Sequence, residues 1–521
     1  MNSIFYDCVV VGSGHAGSCA ALAAVQSGCK RVLIVEKAPK EWAGGNGFFT
    51  AGAHRTTHEG LRDLLPIVYN VSPEQAALID MDPYRAEDFT RDIMRLSQGK
   101  SDEALVKELV DNSQAAVEWL AREVGVRFIL SFNRQAYQVA GRQKFWGGLV
   151  LSVIDGGKGL IADDHAALAK AKVDMWFKSP ALAIVKEEDS ISGLIVKRDG
   201  EEITIKTPNV ILACGGFEAN KSLRSKYLGE DWSRAFVRGT PFNTGDGLDL
   251  ASALGARFTG DFSGGGCHST CWDAHADPDV GDRILSNQYT KSGYPLGLMI
   301  NSAGRRFVDE GADFRNYTYA AYGRAILAQP GSIAFQVYDN QVIDWLRKEE
   351  YADEVVRKVF ADSIEKLGEK LAEEGLAEPS VFVDTVKKYN EAVAAHRALH
   401  LGLVWDPSVK DGLSTDTSGA SSAQLPKSNW ALPLTAPPFL AVKVTCGITF
   451  TFGGLAIDPV TAGVISDNTG QTIPGLFCAG ELIGGIFYSN YPGGSGLTSD
   501  AVFGRRAGNA AADRARSLGS I

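Results

Sequence analysis

Three glycines at 12, 14 and 17, in VVVGSGHAGSCAALAA, and the acid Glu36, 24 residues beyond Gly12, are the first residues whose types and spacing can do chemistry. The apolar run at 5–11 reads as a buried strand, Ala20, Ala21, Ala23 and Ala24 as one side of a closely packed helix, and 31–35 as a second strand. In that setting Gly12 makes the tight turn, Gly14 lets a pyrophosphate reach the backbone, and Gly17 lets helix and strand touch. Glu36 ends the second strand, where a carboxylate can accept hydrogen bonds from both hydroxyls of a ribose. A dinucleotide cofactor is the expectation.

A second chemical stretch lies near the other end, FYSNYPGGSGLTSDAVFGR at 487–505. Its glycines open a helix whose free N–H groups at Ser495, Gly496 and Leu497 can stabilise nearby negative charge by about 0.3–1 kcal/mol. Tyr491 stands just before them. A phenol with a reference pKa of about 10 is a poor base at neutral pH but a good donor to a carbonyl or enolate oxygen, and it can equally serve as packing under a ring.

The elements that must position these residues follow from length and texture. At 521 residues, 45% apolar and 22% charged, the chain is a globular enzyme of two domains or more, and 57 glycines cluster at the ends of apolar runs. A net charge of −10 with scattered cations argues against nucleic acid or an anionic membrane as the main partner. The eight cysteines sit in apolar patterns, which predicts reduced thiols, and Cys267 with Cys271 has no second ligand pair for a metal. No run approaches about 18 apolar residues and no leader precedes the first strand, so a cytoplasmic protein without an integral membrane segment is expected.

Further along, residues 181–213 predict three short strands and then a buried strand ending at Ala213 and Gly215-Gly216, with Ala181 at the start of the first. NTGDGLDLASALGA (243–256) opens a helix at a Gly-Asp-Gly turn around Asp246, and GLFCAGE (475–481) returns to the earlier strand style, ending in Gly480-Glu481. Between 263 and 450 the texture predicts longer, more charged helices, for example EEYADEVVRKVFADSIEKLGEKLAEEGL. The expected fold class is α/β: a Rossmann-like domain from both ends of the chain, 1–262 and 451–521, with a clamp domain inserted at 263–450.

In that order, VVVGSGHAGSCAAL, GGNGFFTAG, ILACGGFEAN, TGDGLDLA, RRFVDEG and IPGLFCAGELIGG resemble the flavoprotein subunits of the fumarate reductase and succinate dehydrogenase superfamily. Within it, GCHSTCWDA, FVDEGADFRNYTYA, LPKSNWALPL, VTCGITFTFGGL and NYPGGSGL look most like the tricarballylate dehydrogenase branch, to which a corrin-biosynthesis flavoprotein is also similar. The resemblance implies FAD in a glutathione-reductase-type domain, an α+β capping domain over the substrate, and interconversion of CH–CH with C=C beside a carbonyl or carboxylate. It implies FAD contacts at Gly12, Gly14, Ala16, Gly17, Glu36, Lys37, Gly44, Gly45, Asn46, Thr50, Ala51, Gly52, Ala181, Ala213, Gly215, Gly216, Asp246, Gly480, Glu481, Ser495, Gly496 and Leu497. No family-type flavinylating histidine precedes Gly44-Gly45, so noncovalent binding is expected, and no second GxGxxG follows, so electrons must leave to another protein, a quinone or oxygen.

The resemblance also assigns His268 to a substrate carboxylate, Glu310 and Arg315 to the proton route, and Thr451 to substrate contact. Departures accompany these matches. Phe450 stands where fumarate reductases have a second histidine, Tyr491 where they have an arginine, and Ile343 aligns with their acid arginine, unless Arg324 approaches the site instead. Losing a positioned acid costs roughly 10²- to 10⁴-fold in rate. For a polyacid, Arg134, Arg142 and Lys144 offer cations; Arg142 and Lys144 alternate about Gln143 and would share one side of an extended segment, as a clamp or as a solvated hairpin. Tyr491-Pro-Gly is also similar to ketosteroid dehydrogenases, whose tyrosine polarises a carbonyl. The first expectation is a tricarballylate-type dehydrogenase yielding a cis-aconitate-type product, with a ketone desaturase or ene-reductase and a flavin electron-transfer subunit as alternatives.

Overall fold

A computed structural model of the chain describes residues 4–132, 136–416 and 425–520, which leaves Arg134 outside the described residues. The chain divides into two compact units, one of Met1–Glu230, Gly239–His268 and Thr449–Ile521, the other of Asp231–Arg238 and Ser269–Ile448.

The first unit is built on a six-stranded sheet. Its central strand, Cys8–Val11, pairs in parallel with Val32–Val35, Val9 facing Leu33, and with Val210–Leu212, Val210 facing Val9. Thr472–Cys478 continues the sheet beyond Val210–Leu212, so the two ends of the chain share one layer. These strands are buried on both faces, which is why they read as unbroken apolar runs. The helix His15–Gln26 packs on the C-terminal helix Ser495–Ser517 through small residues. A Cβ on Gly504 would stand 2.8 Å from the Ala16 carbonyl oxygen, and one on Gly508 2.3 Å from that of Ala20. The matched order of those contacts makes the two helices parallel. An antiparallel meander, Ala181–Glu187, Ser190–Arg198 and Glu201–Lys206, lies in a second sheet with Ile4–Phe5.

The second unit is organised by the long strand Phe439–Thr451, whose residues to Ile448 belong to it. It pairs antiparallel with Ile333–Tyr338, which in turn pairs with Leu298–Asn301. Helices Ile364–Ala372 and Pro379–Leu399 bury Leu367, Leu371, Phe382 and Val386 against Phe335 and Val337. The charged stretch expected to be helical is interrupted: the helix Lys348–Tyr351 ends, Lys358–Ala361 forms a strand, and helix resumes at Ile364. Val359 and Phe360 pair with Ala441 and Leu440, so strand pairing of β-branched and aromatic residues outweighs the helical propensity around them.

The eight cysteines form no disulfide. No helix among the described residues is long and apolar enough to cross a membrane.

Candidate active site

The glycine turn after Cys8–Val11 opens onto a cleft inside the first unit. Gly12, Gly14, Ala16, Glu36, Lys37, Gly45, Asn46, Ala181, Ala213, Gly215, Asp246, Gly480 and Glu481 all line it. The backbone has left no room for side chains there. A Cβ on Gly12, at φ +106°, would stand 2.4 Å from the Ala213 oxygen, and one on Gly17 would stand 2.1 Å from the Gly12 oxygen. Gly14 is the N-cap of the helix His15–Gln26 and supplies no side-chain cap, so the first N–H groups of that helix remain for an anion.

Glu36 lies at the other side of the turn. Its carboxylate accepts from Ser13 N–H (2.9 Å), Ser13 Oγ (2.6 Å) and Ala38 N–H (2.7 Å), which fixes it against the glycines. Lys37 Nζ donates to Thr244 Oγ1 and Asp246 Oδ2, both at 2.6 Å, and so ties the end of the second strand to the Gly-Asp-Gly turn. Gly44, Thr50, Ala51, Gly52 and Gly216 do not line the pocket; they shape what does. Thr50 and Ala51 carbonyls accept from Gly157 N–H (3.0 Å) and Ser152 Oγ (2.7 Å), and a Cβ on Gly44 would strike Ile161 at 2.5 Å. The uncapped helix, the bare glycine turn and the anchored carboxylate fit the pyrophosphate and ribose of a dinucleotide.

Glu481, on the pocket wall and half-buried, is paired with a second carboxyl group, that of the fully buried Glu218. Glu218 Oε1 accepts from Asn46 Nδ2 (2.5 Å) and Asn243 Nδ2 (2.6 Å), and Glu481 Oε1 from Thr451 N–H (2.7 Å) and Thr451 Oγ1 (2.9 Å). Burial and then the neighbouring Glu481 push Glu218 well up; burial raises Glu481 too, while hydrogen bonds from Glu218 and Thr451 pull it down. Both carboxyls are thus held above the ordinary carboxylate range, chiefly by burial. Thr451, expected at the substrate, spends both donors on Glu481.

On the far side of Thr451 the strand presents rings. Thr449 and Thr451 point one way and Phe450 and Phe452 the other, as strand alternation requires. Phe450 lies 5.2 Å from Phe452, 5.9 Å from Phe487 and 5.7 Å from Tyr491, centroid to centroid, and Phe487 lies 5.3 Å from Tyr491. His268, buried, meets the Tyr491 ring edge-on at 5.3 Å. A Cβ on Gly496 would be 3.8 Å from Phe450 Cε1, which sets the rings against the first turn of the C-terminal helix. That helix starts at Ser495 after Gly494 with no side-chain cap, so the N–H groups of Gly496 and Leu497 adjoin the rings.

The remaining expected residues sit on other elements. Arg142 and Lys144 are on the strand Arg142–Phe145, where Arg142 is exposed and forked onto Asp80, Nε to Oδ2 at 2.8 Å and Nη2 to Oδ1 at 2.6 Å. In the second unit Glu310 is fully buried, accepts from Met299 N–H (2.8 Å) and pairs with Arg306 at 2.5 Å. Arg315 begins the helix Arg315–Leu327 and donates to Ser292 Oγ at 3.3 Å, while Arg324 lies in its last turn. Ile343 packs against the apolar cluster of Met299, Tyr338 and Leu346.

Three features were not read from the sequence. His15 Nδ1 meets Asp164 Oδ2 at 2.8 Å, both side chains fully buried. Burial favours the neutral ring, but the Cys19 sulfur and Asp164 hold it well above the usual histidine range; the Cys19 thiol is itself pushed up by burial and so neutral, leaving Asp164 as the counter-ion. Asp500, on the pocket wall, is pushed up to about 7 by burial. Arg55, fully buried, donates to Gly493 O (2.9 Å) and Tyr84 Oη (2.9 Å) and lies 3.5 Å from Asp92. His15 with Asp164 and Arg55 with its partners join residues tens to hundreds of positions apart, which no local pattern announces.

The family model described as "FAD binding domain" matches residues 7–64 and 72–497. The chain belongs to this family. It is an FAD-dependent oxidoreductase acting on CH–CH groups. It is 28% identical over 514 residues to a fumarate reductase (cytochrome) of Shewanella frigidimarina, covering 97% of this chain and 77% of that protein. It is 26% identical over 507 residues to a vinyl phenol reductase of Lactiplantibacillus plantarum, covering 94% and 92%. Among solved structures it is similar to the open conformation of a flavocytochrome c3 fumarate reductase, with a TM-score of 0.70, 26% identity, and coverage of 98% of this chain and 79% of that one.

Proposed function

We propose that the protein holds FAD noncovalently in the glycine-lined pocket and interconverts CH–CH with C=C in a substrate whose double bond adjoins a carbonyl or carboxylate. The observation that carries this is the seat of the aromatic group against the uncapped helix start that adjoins the FAD-binding fold. Bound there, FAD would supply hydride exchange with one substrate carbon. The chain supplies the rest. Tyr491 and His268 hold the activating oxygen, and the N–H groups at Gly496 and Leu497 balance negative charge. Arg315 and Glu310 remain the proposed proton route, with Arg306 as the cation that keeps Glu310 in place.

Residues 37–43 contain no histidine, which supports noncovalent binding. Eight cysteines outside any disulfide support a reducing compartment, the cytoplasm. Reoxidation then falls to an acceptor protein, a quinone or oxygen. The narrower reading, tricarballylate to a cis-aconitate-type product, needs Arg142 released from Asp80 to meet a carboxylate, so it serves as the polyacid arm of the test.

The test is an anaerobic titration of the holoenzyme: chemically reduced protein against unsaturated acids and enones, oxidised protein against their saturated counterparts, read by the flavin absorption band. The band should return or bleach with at least one pair. Silence across all of them would sink the proposal.

A further inference from the structure

We infer that the rings beside Tyr491 form a slot for a flat, conjugated or aromatic substrate body carrying a single carboxylate or carbonyl, and that this slot sets the enzyme against polycarboxylates. The inference rests on the CH–CH reading above and goes on to name the substrate class.

The slot is preorganised. Thr449 O accepts from Asn46 Nδ2 at 2.6 Å and Thr451 is pinned to Glu481, so Phe450 is held between two fixed neighbours. The loop bearing Phe487 and Tyr491 is fastened at Ile486 O by Ser101 Oγ (2.6 Å), at Ser489 N–H by Asp261 Oδ2 (2.9 Å), and at Pro492 O by Ser495 Oγ (2.6 Å). Ser489 itself sits at φ +58°, a conformation non-glycine residues rarely adopt, and this turn aims Tyr491. Phe452, Phe487 and Tyr491 are buried, whereas Phe450, Tyr488, Ser489, Asn490 and Gly496 are only half-buried, so the cluster has an open side at Phe450 and the 488–490 turn rather than being closed core.

The chemistry of that wall selects. Phe450 offers its ring to a planar body, with Phe452, Phe487 and Tyr491 packed behind it, and such a body prefers offset or edge-on contact at the spacings seen among the rings themselves. His268 can donate a hydrogen bond to one carboxylate. A second carboxylate laid on phenyl faces would lose its hydration without gaining a counter-charge, and unpaired charge is the most expensive group to bury.

The test uses the reduced holoenzyme under anaerobic conditions, mixed separately with cinnamate, cyclohexenone, fumarate and cis-aconitate, and follows return of the oxidised-flavin band. Dissociation constants for 3-phenylpropanoate and tricarballylate come from perturbation of the oxidised-flavin spectrum. Cinnamate or cyclohexenone should exceed both polyacids in rate by at least about tenfold, and 3-phenylpropanoate should bind more tightly than tricarballylate. Phe450→Leu keeps the site apolar and removes the ring, and should weaken 3-phenylpropanoate by roughly tenfold with the melting temperature held. Phe450→His should narrow the gap towards fumarate. Fumarate or cis-aconitate at equal or greater rate would overturn the inference while the CH–CH reading stands; no reoxidation by any of the four would overturn both.

Discussion

The dinucleotide pocket and the aromatic wall share the helix Ser495–Ser517, which gives Asp500 to the first and its opening turn to the second, yet one is made largely of backbone and the other of side chains. In the pocket, glycines at 12, 14 and 17 remove side chains so that peptide groups can meet an anion, and at Gly12 and Gly17 the tolerance for change is set by distances of 2.4 and 2.1 Å. Along the wall, rings stand 5.2–6.1 Å apart and can be exchanged for others of similar volume. The pocket decides whether a cofactor is held; the wall decides what the cofactor works on. A substitution in the first should abolish function, and one in the second should redirect it.

Gly17→Val breaks the pocket side most completely. Its Cβ would begin 2.1 Å from the Gly12 oxygen, a backbone atom that cannot swing aside as the end of a flexible side chain would. The cost exceeds about 3 kcal/mol, at the upper end for overpacking. The expected outcome is protein recovered without flavin, checked by the ratio of flavin to protein absorbance and by the melting temperature.

Arg55→Met strikes the joint between the two regions. The guanidinium holds the Gly493 carbonyl in front of the C-terminal helix while buried beside Asp92 and Tyr84. Removing one partner of a buried ion pair costs about 3–5 kcal/mol, because the other charge stays behind. Urea unfolding should show that loss. If the variant still folds, flavin retention should survive better than turnover, because the glycine turn at 12–17 is untouched.

How much of this was legible in the sequence follows from the same contrast. The fold could be read because buried parallel strands are continuous apolar runs, and because a glycine required by close approach admits no substitute. Gly12, Gly14 and Glu36 announce a dinucleotide turn within 25 residues of chain. The charged stretch around Lys358–Ala361 misled, since the pairing of Val359 with Ala441 is invisible locally. Arg142 shows a different limit of local pattern. Strand alternation put it on a face, but only the fold brings Asp80 to meet it. His15 with Asp164, and Arg55 with Gly493, are contacts across 149 and 438 residues and leave no trace in spacing.

Asp164→Asn gives a smaller, pH-dependent loss on the pocket side. Asp164 holds His15 above its ordinary value, so the protonated ring stabilises the fold fully below about pH 6.5. That stabilisation is lost as pH rises through the higher folded value. The variant should lose about 1.5–3 kcal/mol, the range for a charge-assisted hydrogen bond, in mildly acidic buffer, with the difference shrinking as pH rises. Melting temperatures across that range check it. A constant difference would mean that the imidazole is neutral throughout.

Arg142→Ala should have the smallest effect, and it sharpens the wall side. The Asp80 carboxylate raises the already high pKa of this guanidinium through two hydrogen bonds, and both side chains stand in solvent. Exposed pairs of this kind contribute little to stability, and a cation already matched to a carboxylate has little left for a substrate. On a ring-bearing monoacid, kcat/KM should change by less than about twofold, within the reach of surface electrostatics. A tenfold fall in turnover of cis-aconitate or tricarballylate, with the monoacid unaffected, would mean that Arg142 leaves Asp80 for a carboxylate. Specificity would then lie with a cation pair on the strand Arg142–Phe145, and the rings around Tyr491 would be packing for the C-terminal helix.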